Sequence, residues 1–312
     1  MLAIACAAVA MRVTADEADD DVLATVGEAT ISRADLKAFL RRAGIDRRQA
    51  DGQLQAAVAS AALERLVDER LLQAAIAKAG IDVAPAEVAA AVDQLRSQLK
   101  AARGLSLEKV LEQSGGDLAS LRRQIEFDLA VTKLIGPLVD DAARAAAFQK
   151  HRRDLDGTRV RASHIVLHPD VGGGDDAVAA SFRKAADIRT AILRREMSFA
   201  EAAAIHSAGP SRHHGGDVGF LERRGEVHEI FAREAFSLDV GDVSQPFATP
   251  FGVHLVTVTA IVPGAATLET LRPQVEKLAA QDVIRELVAS LRKTTPIAYP
   301  PGASTAGPGF SD

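Results

Sequence analysis

The chain has 312 residues, 47% of them hydrophobic and 25% charged, with a formal net charge of -5. That length allows two domains and a substantial core, and an acidic balance without a basic field excludes nucleic acid as an expected partner. A lone cysteine, Cys6, excludes an intramolecular disulfide and a thiolate metal cluster, while 4% aromatics and abundant alanine favour helix over a large sheet.

In chain order, Leu2 to Met11 is a small-residue apolar run, followed by Val13-Thr14-Ala15 and an acidic stretch from Asp16 to Asp21. It reads as the back half of a secretory signal with an A-x-A-like cleavage site, so residues 1–15 are expected to be a signal remnant. The run is about ten residues, too short to cross a bilayer. Cys6 lacks the leucine three residues earlier that lipidation favours, so membrane anchoring is not expected.

Val22 to Val26, a Gly27-Glu28 turn and Thr30-Ile31 predict a short hairpin, with Ser32 capping the next helix. Leu54, Val58, Leu66, Leu72 and Ile76 predict a long amphipathic helix that ends near Gly80. Pro85 opens another, running to Arg103. Ser106 to Gln113 and Asp117 to Ile135 read as helices, Pro137 interrupts, and Asp140 to Arg153 leads into a different pattern.

That pattern begins with Val160 to Leu167 and closes with Phe251 to Val258, two strand-like segments. Alternation puts His164 on the face of Ala162 and Val166, and His254 on the face of Val256 and Val258. Between them lie a long helix ending in Ser198-Phe-Ala-Glu-Ala-Ala203, then His206-Ser-Ala-Gly-Pro-Ser211, Gly215-Gly-Asp-Val-Gly-Phe220, Phe231 to Leu238 and Gly241 to Phe247. Past a linker at Val262-Pro-Gly-Ala265, Thr267 is expected to cap a helix carrying Leu268, Leu271, Val275, Leu278, Ile284, Leu287 and Leu291. A lone helix with such a stripe must bury it against another element. Tyr299 to Asp312 reads as a loose tail.

The ordered motifs from Ser163-His-Ile165 to Phe251-Gly-Val-His-Leu-Val256 resemble the parvulin-type (PPIC-type) peptidyl-prolyl isomerases. Thr25 to Ser32, Leu66 to Leu72 and Gly80 to Val83 resemble the N-terminal region of periplasmic foldases of the SurA and PrsA type. The resemblance implies an α+β protein. Its helical chaperone domain would comprise residues 22–153 plus 267–293, the C-terminal helix returning to the N-terminal ones. A parvulin domain at 159–261, a small antiparallel sheet flanked by helices, would be inserted between them, with a flexible tail at 299–312. It further implies rotamase and chaperone activity on unfolded or exported polypeptides with X-Pro bonds, in the periplasm or cell envelope, without cofactor or metal. The alternative is a non-catalytic holdase whose parvulin fold survives as a peptide-binding module.

Rotation about an X-Pro bond breaks no covalent bond; its barrier of about 20 kcal/mol is lost amide resonance. An apolar grip on the proline ring and polar groups around the twisted amide suffice to lower it. Carried over residue by residue, the resemblance implies catalytic positions at His164, His254 and Gly209, and a substrate pocket at Val218, Val227, Phe231, Thr249 and Phe251. Two departures stand out. Gly209 occupies the place of the family's usual cysteine or aspartate, which implies weakened catalysis, and Phe251 replaces a residue that is often small or polar, which implies a narrower mouth.

The segment Pro169 to Asp176 is acidic and glycine-rich, and reads as a flexible connection rather than a basic loop for phosphoserine. His206, His213 and His214 lie close in sequence but have no carboxylate spacing of a known metal site, so they read as solvated loop residues. Gly172-Gly-Gly174 lacks the Lys-Ser/Thr of a phosphate loop, and Ser211 has no G-x-S-x-G setting.

Overall fold

The computed structural model describes residues 21–43, 52–170, 172–225 and 227–300. The expected signal remnant at 1–15 and residues 301–312 of the expected tail lie outside them. The chain begins with β1 (Val22–Val26), β2 (Ala29–Ser32), α1 (Arg33–Arg42), α2 (Gly52–Lys78), α3 (Pro85–Arg103), α4 (Leu107–Ser114) and α5 (Leu118–Ile135). It continues with α6 (Asp141–Leu155), β3 (Arg159–Leu167), α7 (Gly174–Leu193), α8 (Phe199–His206), β4 (Asp217–Glu222) and α9 (Glu229–Ser237). It closes with β5 (Phe247–Thr249), β6 (Gly252–Val262), α10 (Arg272–Thr294) and β7 (Ile297–Ala298). The protein is α+β and divides into two compact units, one of residues 1–140 and 280–312, the other of residues 141–279.

In the first unit, β1 pairs with β2 on one side and β7 on the other, all antiparallel. Leu23, Ala24 and Val26 of β1 and Ile31 of β2 are buried with Leu36, Leu40, Leu63, Leu66, Val67 and Leu71 of α1 and α2. Val288, Leu291 and Ile297 pack against that core from the C-terminal end of the chain. Arg292 bridges Glu64 and Asp68 at 2.9 and 2.6 Å. Local signals set the helix starts: Ser32, Ser106 and Asp117 each accept a backbone N–H three residues on, and Asp35 returns the bond to Ser32 in a capping box.

Three details differ from the sequence reading. Strand β7 was not foreseen; two residues have no periodicity, and the strand exists only through pairing with Thr25 and Val26. Tyr299, expected in the loose tail, hydrogen-bonds Glu64 Oε1 at 2.7 Å. Thr267 does not cap α10. It exchanges hydrogen bonds with Thr270 in a separate turn, and the helix starts at Arg272, where Pro273 fits the first turn because its missing N–H is not needed there.

In the second unit, β4-β3-β6-β5 form a four-stranded antiparallel sheet. One face carries Val160, Ala162, Val256 and Val258 against Phe231, Ala235 and Phe236 of α9. The other carries Ile165, Leu167, Val253 and Leu255 against Ala185 and Ile188 of α7 and Ala202 and Ala203 of α8. The long helix expected to end in Ser198–Ala203 is in fact two helices. Arg195 turns left-handed at φ 59°, and Ser198 starts α8 with a capping box to Glu201. Asp175 and Asp176, expected in the flexible connection, form the first turn of α7, where acidic side chains suit the helix dipole. His213 and His214, read as loop residues, sit in a 3-10 turn over Pro210–His214.

Candidate active site

The site lies on the α9 side of the four-stranded sheet. Strand register brings the two histidines together: His164 pairs with Val256 and Val166 pairs with His254, so the imidazoles are diagonal neighbours on adjacent strands. Their rings stack with centroids 5.8 Å apart and planes 22° apart. Phe247, the direct cross-strand partner of His254, stacks on its other side at 5.5 Å and 18°. Phe231 from α9 meets both imidazoles edge-on, at 5.7 and 5.8 Å. The result is a floor of four packed rings.

Polar bonding on this floor is sparse. Thr249 Oγ1 and His254 Nε2 are hydrogen-bonded at 2.8 Å. The Nδ1 atoms of His164 and His254 are buried and have no hydrogen-bond partner among the described residues. Burial pushes the His164 pKa down. Burial, then the neighbouring His164, His168 and His228, push that of His254 down to about 4. Both imidazoles are therefore neutral at pH 7, and the floor presents uncharged rings.

Above the floor is a cavity of about 500 Å³ lined by His164, Gly209, Val218, Val227, Phe231, Thr249, Phe251 and His254, every position singled out from the sequence. His168, Val166, Ala208, Pro210, Gly225 and His228 complete its wall. Phe247 and the rim residues His168 and His228 were missed. For Phe247 a signal existed, because the alternation Phe247-Ala-Thr249 puts it on the same face as Thr249. The rim histidines sit outside strands and left no periodic trace.

The backbone around Gly209 explains how this wall is built. Ser207, at the end of α8, is buried, and its Oγ accepts the N–H groups of Val166 and Gly209, each at 3.2 Å. Ala208 N–H donates to Val166 O at 2.8 Å. Gly209 is thereby tied to the edge of β3. Its φ of -75° and ψ of 154° are ordinary extended values, open to any residue. A Cβ there would meet Val166 Cγ1 at 3.1 Å and His164 Nε2 at 3.3 Å. At Gly216 a side chain is impossible, since a Cβ would lie 2.5 Å from the His164 carbonyl oxygen at φ +84°.

Comparison with known proteins agrees with this geometry. Residues 164–260 match the PPIC-type PPIase domain model, and residues 1–135 match the SurA-like N-terminal domain model. The chain thus carries a PPIC-type PPIase domain behind a SurA-like N-terminal domain. It is similar to the foldase protein PrsA of Bacillus subtilis, 27% identical over 139 residues, which are 45% of this chain and 42% of that one. It is also similar to the chaperone SurA of Aromatoleum aromaticum, 36% identical over 186 residues, 58% of this chain and 37% of that one. The chain thus spans about half the length, or less, of the curated relatives it matches. The crystal structure of a PrsA peptidylprolyl isomerase from Bacillus anthracis is 23% identical, with a TM-score of 0.35, and covers 73% of this chain and 96% of that one. That overlay is too loose to carry residue correspondences. No helix among the described residues is long and apolar enough to cross a membrane.

Proposed function

We propose that the chain is an exported foldase whose cavity binds X-Pro segments of unfolded polypeptides and catalyses their cis-trans isomerisation. The observation that carries this reading is the ring cluster: His164, His254 and Phe231 line the cavity, with Phe247 stacked against His254, and together they offer an apolar base against which a pyrrolidine ring can pack. An apolar base desolvates the X-Pro amide, and a desolvated amide gives up resonance more easily than a hydrated one. Neutral imidazoles avoid a charge that would favour the planar, more polar ground state. Val218 and Val227 then wall the ring, Phe231 forms its base, and His164 and His254 hold the floor. Thr249 fixes His254, and Phe251 stands at the mouth. The helices of the first unit supply chaperone contacts with the rest of the client, and the place of action is the cell envelope. The apolar run before Ala15 supports that location.

A second reading rests on Gly209. No side chain projects there beside His164 Nε2, where the resembled family carries a cysteine or aspartate. On this reading the cavity binds proline segments and the protein acts as a holdase. A proline-limited peptide isomerisation assay beside an aggregation-suppression assay separates the two. Catalysis with suppression supports the foldase, and suppression without catalysis supports the holdase. Failure in both assays overturns both.

A further inference from the structure

Arg223 Nε bonds Asp154, near the C-terminal end of α6, and the two terminal nitrogens of the same guanidinium fork onto Glu229 at 2.8 and 2.9 Å. Arg223 is the first residue after β4, and Glu229 is the first of α9. The fork therefore closes the base of the segment between them, which carries Gly225, Val227 and His228 into the cavity wall. Two parallel bonds fix direction as well as distance. Asp154 and Glu229 lie nearer the surface, but the Arg223 side chain is only 15% exposed, so these pairs are better shielded than ordinary surface ones. The neighbouring Arg153 reaches the other end of α9, donating to the Leu238 carbonyl oxygen at 2.8 Å and pairing with Asp239. Two consecutive residues of α6 thus hold α9 at both ends. Beside these ties is a hollow of about 330 Å³ lined by Gln149, Lys150, Arg233, Phe236 and Ser237.

Helix α9 carries Phe231, which meets both imidazoles edge-on. Resting on the reading of this cavity as a proline site, we propose that Arg223 is a positioning residue for it. Through Arg153 and Asp154, α6 then sets the wall at Val227 and His228 and the depth of Phe231. None of Arg153, Asp154 and Arg223 lines the cavity, so their effect passes through geometry alone. Close-packed seams resist displacement, whereas a seam with a hollow in it and ionic ties at its ends lets α6 tilt and carry α9 with it. Because α6 is the segment by which the chain enters β3, the cavity answers to whatever seats or pulls that helix. Small shifts suffice, since a displacement of about 1 Å can cost up to about a hundredfold in rate.

The test uses the full chain and an Ala-Pro peptide, with kcat and KM taken from proline-limited isomerisation and the free protein followed by NMR. Asp154→Ala and Arg153→Ala should each raise KM about fivefold with kcat nearly unchanged, because the wall holds the proline ring equally in the planar and twisted states. A merely structural loss would lower the folded fraction, and so the apparent kcat, without moving KM. Asp154→Glu, which keeps the carboxylate, should recover most of the loss. Arg223→Lys keeps the charge but cannot fork, so it should behave like Asp154→Ala. In the free protein, Asp154→Ala should shift the amide resonances of Val227, His228 and Phe231 and leave those of Ile165 and Leu255, on the other face of the sheet, in place. Arg96→Ala, which removes ion pairs to Asp93 and Glu108 in the first unit, should move neither readout. Unchanged KM and unchanged cavity resonances in folded Asp154→Ala and Arg153→Ala overturn the proposal, as does an equal rise of KM in Arg96→Ala. If Arg223→Lys fails to fold, the two α6 variants decide. A natural chain that neither binds nor turns over the peptide removes the proline reading, and the resonances then decide the coupling alone. Shifts confined to Val227, His228 and Phe231 support it, and their absence overturns it.

Discussion

Thr249 Oγ1 and His254 Nε2, one on β5 and one on β6, are 2.8 Å apart, and this is the one hydrogen bond of the His254 ring among the described residues. The ring is 4% exposed and its Nδ1 has no partner, so Thr249 is what orients it. Thr249→Val keeps the shape of the wall and removes the hydroxyl, leaving an imidazole buried with no bond at all. The expected cost is about 1–3 kcal/mol, read as a lower midpoint in thermal or urea unfolding. Thr249→Ser, which keeps the oxygen, should recover most of it. Equal midpoints for the natural protein and Thr249→Val would show that stacking alone positions His254.

The same burial makes the site sensitive to acid. In the fold the His254 pKa falls to about 4, from about 6.5 in the unfolded chain, and that of His164 is lowered as well. The unfolded state therefore binds protons first on acidification. Stability is full above about pH 6.5 and is lost between there and about pH 4, by up to roughly 1.4 kcal/mol per pH unit for His254. Unfolding midpoints measured across this window, with histidine resonances followed by NMR, check the sign and the residue. His254→Phe, which keeps a ring between His164 and Phe247, should flatten part of the acid slope. A slope unchanged by that substitution would assign it elsewhere.

Much of this site was legible because strands and caps write short, periodic signals. Alternation put His164 and His254 each on the apolar face of its own strand, and Ser32, Ser106 and Asp117 stand where a side-chain oxygen can accept the orphan N–H groups of a helix start. What stayed hidden depends on contacts distant in sequence. β7 is two residues that become a strand only beside β1. The break between α7 and α8 turns on Arg195, whose left-handed backbone nothing in its side chain announces. The stacking of the histidines is likewise a matter of register, set by a shift in the β3–β6 pairing between Arg161 and Ala162. The two imidazoles pack against one another with both Nδ1 atoms unpaired, while His254 keeps a bond to Thr249 through Nε2.

We propose that the C-terminal segment completes the N-terminal domain, so that residues 141–279 are an insert. Val288, Leu291 and Ile297 pack on the core of α1, α2 and β1, and Arg292 and Tyr299 bond Glu64 and Asp68. A chain stopped after Ala279 keeps the whole second unit and loses all of these. Hydrogen exchange should then speed up across 22–78 while the strands at 160–166 and 253–258 stay protected. Equal acceleration in both regions, or none in either, would contradict the insert.

Gly209 offers the most direct test of chemistry. Its φ of -75° removes backbone strain as an objection to a side chain, so Gly209→Asp and Gly209→Cys should both fold. The new Cβ would lie 3.1 Å from Val166 Cγ1 and 3.3 Å from His164 Nε2, close enough that each neighbour must shift by a few tenths of an ångström. A stability loss on the order of 1 kcal/mol is expected from that crowding. Against it, a polar group beside the twisting amide, felt only in the transition state, would add about 1.4 kcal/mol of stabilisation and raise the isomerisation rate tenfold. Gly209→Ala separates the two effects, since it brings the crowding without the polar group and should lower stability with no gain in rate. Rates and melting curves for all three variants decide the matter. A folded Gly209→Asp and a folded Gly209→Cys, neither faster than Gly209→Ala, would mean that this position does not face the amide. A gain confined to the polar variants would mark the natural protein as an isomerase held below the capacity of its own cavity.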